Sequence, residues 1–219
     1  MKTFLKALLT VVLLLLCVPA IAVGQTPSPA TDEAYDGLTA STLFDDANTY
    51  LDRKFAQFNR QKIPYDEKLE KKTKQEQKEL AAKYAAVLSA RASLSQMDRF
   101  YLGMLAHLAG NGDLALDAMG HYLDGQAKGQ NAQLARAVVV LYATRKGLLA
   151  PSERAVTDYA NDEPRSLAEW FGMESLITEL LQKTKAYENM ATHAQQMAKI
   201  ARLVVPNRGI NTFRRDDML

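Results

Sequence analysis

The stretch 95–125, SQMDRFYLGMLAHLAGNGDLALDAMGHYLDG, constrains the fold most, because it has the pattern of two consecutive amphipathic helices. Ser95 and Asp98 have the spacing of a capping box at a helix N-terminus. Apolar residues recur at helical spacing on both sides of Asn111-Gly112, a pair typical of a turn. Asp113 is the predicted cap of the second helix. Two helices joined by so short a turn fold back on each other as an antiparallel hairpin.

Small side chains mark the predicted contact between these two helices. A bulky side chain at the contact would hold the two backbones apart, whereas glycine and alanine let them approach closely. The residues predicted to form this helix-hairpin contact are Gly103, Ala106, Ala109 and Ala115.

At this hairpin the chain resembles a tetratricopeptide repeat. That family has a Leu-Gly pair in the first helix of its repeat, a small residue near the turn and an alanine in the second helix. The corresponding residues here are Leu102-Gly103, Gly110 and Ala115. The resemblance implies a short array of stacked helical hairpins. The alternative is an ordinary helical hairpin with small residues at its contact.

The N-terminus has the pattern of a signal peptide over residues 1–22. Lys2 and Lys6 form a basic start, the run 7–18 is apolar, and Ala20-Ile21-Ala22 is a small-x-small cleavage site. The apolar run is shorter than the roughly 20 residues that span a membrane. We therefore expect an exported protein, periplasmic or secreted, with no integral membrane span after cleavage.

Cys17 is the only cysteine, and it lies in the predicted signal peptide. Anchoring as a lipoprotein through this thiol is disfavoured, because Leu16 stands where lipoprotein processing requires a small residue. Without another cysteine, the processed chain can form no internal disulfide and has no thiol chemistry. Removing residues 1–22 removes two lysines and no acidic residue, which leaves 25 basic and 25 acidic residues. This balance argues against a nucleic-acid partner.

The rest of the chain divides into three parts. Residues 23–41 are rich in Pro, Ser, Thr and acidic residues, a composition that predicts a disordered linker. Residues 42–205 form the predicted helical domain, and residues 206–219 a loose polar tail. The helices predicted besides the hairpin cover about 42–61, 66–91, 132–147, 151–160, 166–183 and 184–204, so the predicted fold class is all-α.

Two of these segments leave alternatives open. The β-branched residues 138–140 are compatible with a strand, although the flanking alanines and the length of the segment favour a helix. The helix 66–91 begins with an almost entirely polar half, which contains Glu-to-Lys pairs four residues apart such as Glu70 and Lys74. It is predicted either to project into solvent or to act as an arm that binds a partner.

A second resemblance covers most of residues 42–219. The segments KKTKQEQKELAAKYAA and FYLGMLAHLAGNGDLALDAM resemble the helical front half of exported bacterial thioredoxin-like proteins, whose tetratricopeptide-like helices precede a thiol-disulfide oxidoreductase domain. The resemblance implies helical folding and residence in the cell envelope. The Cys-x-x-Cys motif of that family is absent from this sequence, so no redox activity is expected. The resemblance also suggests that the chain is the front part of a longer ancestral architecture.

Motifs for catalysis or metal binding are absent from the sequence. The histidines His107, His121 and His193 have no His or Cys partner three or four residues away, which excludes the usual zinc spacing. No Gly-x-Ser-x-Gly motif or phosphate-binding glycine loop occurs. Glu169 beside Trp170 suggests a carboxyl group of raised pKa, but its predicted role is capping a helix with Ser166. We therefore predict neither a cofactor nor a metal, and no enzyme.

The sequence thus predicts an exported helical scaffold that binds another protein or a peptide. The residues predicted from helix position to line its groove are Tyr101, His107, Tyr142 and Arg145. One alternative is an envelope chaperone of the holdase type, with the helix 66–91 as its arm and methionine-rich helices as an adaptable surface. A cell-wall enzyme is the third hypothesis, supported only by the predicted compartment and by carboxylates without an assigned role.

Overall fold

Helices supply all the regular secondary structure that the computed structural model describes, namely for Tyr35 and residues 37–204. No strand occurs among these residues, so the predicted all-α class is confirmed. The predicted signal peptide, Cys17, most of the predicted linker and the predicted tail lie outside the described residues. The helices described below belong to the unit that begins at Leu38.

Nine helices occur among the described residues. In chain order they are α1 Ala40–Asn48, α2 Tyr50–Arg60, α3 Glu67–Ser89, α4 Gln96–Ala109, α5 Gly112–Asp124, α6 Gln130–Arg145, α7 Leu149–Ala160, α8 Leu167–Lys183 and α9 Tyr187–Leu203. The residues 138–140 lie inside α6, so the strand alternative is wrong.

The helices pack as four successive hairpins: α1 with α3, α4 with α5, α6 with α7, and α8 with α9. The first helix of each later hairpin packs against both helices of the hairpin before it. Thus α4 contacts α1 and α3, α6 contacts α4 and α5, and α8 contacts α6 and α7. The hairpins are therefore stacked in chain order, and the first helices of neighbouring hairpins lie next to each other.

The central hairpin α4–α5 forms largely as its sequence predicts. The Ser95 hydroxyl accepts from the Asp98 backbone N–H at 3.1 Å, and the Asp98 carboxylate accepts from the Ser95 N–H at 3.0 Å, so the capping box is confirmed. Gly110 ends α4 with a φ of 81°, in the left-handed region that favours glycine. The prediction that Asp113 caps α5 is wrong. Asn111 caps α5 instead, because its side chain lies nearer the free N–H groups and accepts from Leu114.

The single helix predicted over 42–61 is wrong in two respects. It begins at Ala40, because Thr39 is the residue whose side chain caps it. It is also interrupted at Thr49, whose hydroxyl donates to the Asp45 carbonyl at 2.7 Å. Arg53, which follows the break, donates to the Asp46 carbonyl at 3.0 Å, so two side chains bind backbone carbonyls in the last turn of α1. The second piece, α2, has no fully buried residue, although an apolar core stripe was predicted there.

The polar first half of α3 packs against α1 and α2. The projecting arm predicted from the sequence is therefore not observed. Thr73 and Gln77 are buried, and Gln77 donates to the Ala47 carbonyl at 3.0 Å. The Tyr50 hydroxyl donates to Glu76 at 2.9 Å. A helix with few apolar residues can thus be held by hydrogen bonds that hydrophobic periodicity does not reveal. The predicted ion pair between Glu70 and Lys74 is present on its exposed face.

The core of the unit runs through the later hairpins. Its largest fully buried side chains from α5 to α9 include Met119, Val140, Tyr159, Ile177, Leu181 and Ile200. The predicted capping pair at the start of α8 forms only in part. Ser166 accepts from the Glu169 N–H at 3.3 Å, but the Glu169 carboxylate accepts from the Tyr159 hydroxyl at 2.7 Å. Burial, followed by this bond to Glu169, raises the pKa of Tyr159 to about 12.

Candidate functional site

The small residues of the central hairpin differ in how closely they are packed. Gly103 is buried, and a Cβ atom placed there would lie 2.8 Å from Cγ and Cε of Met119. Ala106 and Ala115 are fully buried, whereas Ala109 is only partly buried. Close approach of α4 and α5 therefore depends mainly on Gly103, which leaves room for the Met119 side chain.

Three of the four residues predicted to line a groove lie together between α4 and α6. The His107 Nδ1 atom is 3.0 Å from the Tyr142 hydroxyl, and the two rings meet edge to face. The Arg145 guanidinium lies 5.6 Å from the centre of the Tyr142 ring. Burial, and then the charge of Arg145, lower the pKa of His107. Gly112 makes this arrangement possible, since a Cβ atom there would lie 2.5 Å from the Tyr142 ring.

These three residues form a packed cluster with little room for a ligand. Tyr142 is only 8% exposed, and its hydroxyl is already bonded to His107. Tyr101 does not join them. Tyr101 lies nearly two helical turns before His107 on α4. Its ring contacts Phe100, and its ring centre is 5.8 Å from that of Phe44 in α1. Helix position alone does not reveal that Tyr142 points inward.

An open groove of about 650 Å³ lies elsewhere, between the end of α5, the α5–α6 loop, α6 and α7. We call it the α5–α7 groove. Its walls combine apolar and polar groups, and its lining residues are Gly120, Leu123, Asp124, Gln126, Ala127, Lys128, Arg136, Val139, Pro151, Arg154, Ala155, Asp158, Asn161 and Asp162.

The α5–α7 groove contains a buried ion pair. The side chain of Arg136 is only 9% exposed, and its Nη1 atom is 2.8 Å from the Asp162 carboxylate. Nη1 also donates to the Gln133 side chain at 2.8 Å, and Nη2 donates to the Ala127 carbonyl at 3.3 Å. The hydrogen bond from Arg136 lowers the pKa of Asp162, and backbone N–H groups of Glu163 and Gly129 add to this effect.

The guanidinium of Arg136 has N–H donors that no described residue accepts. Its hydrogen bonds to the described residues use three of the five N–H groups of the guanidinium. A buried donor without an acceptor is costly, so an oxygen atom entering the groove would be stabilised there. The carbonyl oxygens of an extended peptide are acceptors of this kind.

The charges around the α5–α7 groove are balanced. Lys128, Arg136 and Arg154 are matched by Asp124, Asp158 and Asp162. Arg154 and Asp158 further lie within 4.0 Å of each other on the exposed face of α7. A strongly charged ligand would meet charges of its own sign, so the groove favours a segment of low net charge.

Sequence reasoning missed the α5–α7 groove, although one signal was present. Gln133 and Arg136 are polar residues inside the apolar run of α6, where a buried side chain must find a partner. Both are buried, and Gln133 donates to the Tyr159 carbonyl at 3.1 Å. The partners Asp162 and Tyr159 are distant in the sequence, so the pairing itself was not predictable.

A second polar cluster joins α7, α8 and α9. The buried Glu174 accepts from the Trp170 indole N–H at 3.1 Å and lies 2.6 Å from His193 Nδ1. His193 Nε2 is 3.6 Å from Glu153. The sequence suggested Glu169 as the carboxylate beside Trp170, but the indole binds Glu174, which lies one helical turn further along α8.

Among the described residues, no group of three or more His, Cys, Asp or Glu side chains is arranged to hold a metal ion. Within the same part of the chain, no helix combines the length and the apolar character needed to cross a membrane.

No protein-family model, no curated protein and no solved structure matches the chain. What the surfaces of this protein do must therefore be argued from their geometry and charge.

Proposed function

We propose that this chain is a helical protein-interaction module, without catalytic activity of its own, that binds an extended peptide segment of another protein in the α5–α7 groove. The observation that carries the proposal is the buried guanidinium of Arg136, which lines an open groove with N–H donors to spare. Backbone carbonyls of a peptide provide acceptors for them, and the apolar groups of Leu123, Val139 and Pro151 can contact its side chains.

The proposed partner is a protein or peptide of low net charge. The balanced charges of the α5–α7 groove support this choice, and the balanced composition after signal cleavage argues against nucleic acid. The volume of about 650 Å³ is within the usual range for ligand sites, so a few residues of the partner would fill it.

We propose in addition that the protein is exported and is related to tetratricopeptide-repeat proteins. The basic start, apolar run and cleavage pattern of residues 1–22 support export. The stacking of hairpins in chain order, with Gly103 and Ala115 at a close helix contact, supports the repeat relationship. A thioredoxin-like reading frame next to this one would support the second resemblance.

The holdase alternative gains no support from α3. That hypothesis needed the helix 66–91 as a free arm, but Thr73 and Gln77 on its first half are buried against α1 and α2. A client-aggregation assay tests the holdase alternative, because no suppression of aggregation at stoichiometric amounts would exclude it.

The interaction is tested by selecting peptides from a library of random linear 12-residue sequences on the immobilised chain. We expect enriched peptides of low net charge. On binding, they should protect backbone amides of 120–128 and 151–162 from hydrogen exchange. Enrichment of strongly charged peptides, or protection confined to other helices, would contradict the proposed site, and the absence of any enrichment would contradict the proposed function.

A further inference from the structure

Glu174 of α8 is a buried carboxylate, only 4% exposed. One oxygen accepts from the Trp170 indole, and the other lies 2.6 Å from His193 Nδ1 on α9. A buried carboxylate is costly unless a positive charge or hydrogen bonds compensate for it. Since the indole is neutral, His193 is the group that can supply the charge.

His193 is placed between two carboxylates from two different helices. Its side chain is 14% exposed, Glu174 approaches it from α8, and Glu153 approaches it from α7 at 3.6 Å. Among the described residues, these are the charged groups within ion-pair distance of the ring. The hydrogen bond to Glu174 raises the pKa of His193 above its ordinary value, against the opposing effect of burial.

The apolar attachment of α9 is small by comparison. Ile200 and Ala201 are the only residues of α9 that are fully buried, whereas Tyr187 remains 59% exposed. Most of its packing is against α8, with which it forms the last described hairpin. The polar bond at His193, near the middle of α9, therefore adds a charged contact to α8 beside this apolar packing.

We propose that α9 is a cover for α8 whose closure depends on pH: with His193 protonated, Glu174 and Glu153 hold α9 against α8 and α7, and with His193 neutral α9 opens more readily. On deprotonation the proton leaves the His193 ring to water. A neutral imidazole keeps at most a hydrogen bond to Glu174, without the ionic attraction. Ile200 of α9 lies in the same apolar core as Ile177 and Leu181 of α8, so opening of α9 would uncover part of that core.

Hydrogen exchange of the full chain tests this inference. We compare protection factors, which correct for the intrinsic rates, at about pH 5.5 and about pH 8.5, on either side of ordinary histidine titration. Protection of 190–203 should fall severalfold at the higher pH, because the ionic attraction of His193 to Glu174 and Glu153 is lost as the ring is deprotonated. Protection of 81–89 in α3, a segment without histidine, should change less than about twofold over the same range.

Two matched variants separate the cause from a general effect of pH. His193→Gln should show low and pH-independent protection of 190–203. His121→Gln should behave like the unmodified protein, because His121 also lies near two carboxylates, Asp117 and Asp124, but is 57% exposed. Loss of the pH response in His121→Gln, or its persistence in His193→Gln, would overturn the proposal.

A measurement on the unmodified chain decides the matter if His193→Gln does not fold. The NMR titration of the His193 ring should have its midpoint above pH 6.5, at the same pH at which protection of α9 falls. A midpoint at or below that value, or a fall in protection at a different pH, would overturn the proposal. Neither measurement depends on peptide binding.

Discussion

At the residue scale, one helical glycine is closely packed and two others have open surroundings. The same substitution at the three positions therefore tests how closely the side chains around each glycine are packed. Gly103→Ala should lower the free energy of unfolding by about 1–3 kcal/mol, because the new methyl group would overlap Met119. Gly120→Ala and Gly172→Ala should instead raise it by about 0.5–1 kcal/mol, since no atom of the described residues lies within 4 Å of a Cβ atom at either position.

Urea unfolding of the three variants measures these changes. All three glycines lie inside helices, so the change to alanine raises helix propensity by a similar amount at each position. The difference in unfolding free energy between the variants therefore reports how much room surrounds each new methyl group. A stabilised Gly103→Ala protein would show that the contact between α4 and α5 is not close.

The ion pair in the α5–α7 groove gives a second prediction at this scale. Arg136→Met should lower the free energy of unfolding by about 2–3 kcal/mol, because it leaves Asp162 and Gln133 without their buried partner. The loss is smaller than for a fully buried pair, since the Asp162 side chain is 20% exposed.

The matched control for this change is Arg154→Met, the same substitution at an exposed position of α7. It should change the free energy of unfolding by less than about 0.5 kcal/mol, as is usual for exposed ion pairs. Equal effects of the two substitutions in urea unfolding would mean that the Arg136 bonds add no stability.

At the scale of elements, the docking of α3 rests on hydrogen bonds to the end of α1. Gln77→Ala should lower the free energy of unfolding by about 1–2 kcal/mol, because the carbonyls of Ala47 and Asn48 lose their donor. Gln75→Ala, an exposed position in the same helix, should have an effect below about 0.5 kcal/mol.

The exchange of α3 amides provides the second readout for this prediction. In Gln77→Ala the amides of 67–80 should lose protection more than those of 81–89, whose side chains pack in the apolar part of α3. No difference between the Gln75 and Gln77 variants would mean that the first half of α3 behaves as a free arm.

The elements differ in how far the sequence could predict them. Helices with caps and an apolar face, such as α4 with its capping box, were predictable because the signals are local. The break at Thr49 was not, because Thr49 and Arg53, whose side chains bind carbonyls of α1 there, are each compatible with a continuous helix. The α5–α7 groove was not predictable either, since Arg136 finds its partner Asp162 only after α6 and α7 pack together.

At the scale of the whole molecule, stability should decrease in acid. Arg136 lowers the pKa of Asp162, so this pair stabilises the fold above the ordinary aspartate value of about 3.9. The contribution is lost as the pH falls through the lowered pKa. Urea unfolding between about pH 6 and about pH 2.5 should show this loss.

The variant Asp162→Asn should have a flatter acid profile than the unmodified protein, because its side chain cannot be protonated in this range. Asp117→Asn serves as the control, since its carboxylate is 69% exposed. If Asp162→Asn and the unmodified protein lost stability in parallel, the Arg136–Asp162 pair would not contribute to the pH dependence.

The most direct test of the account is the affinity of a library-selected peptide for three forms of the chain. Gly120→Trp fills the α5–α7 groove, whereas Gly172→Trp places the same side chain in open space on α8. We predict that the peptide Kd rises at least about tenfold in Gly120→Trp and changes less than about twofold in Gly172→Trp. Unchanged affinity in Gly120→Trp, with the variant folded, would contradict binding in this groove.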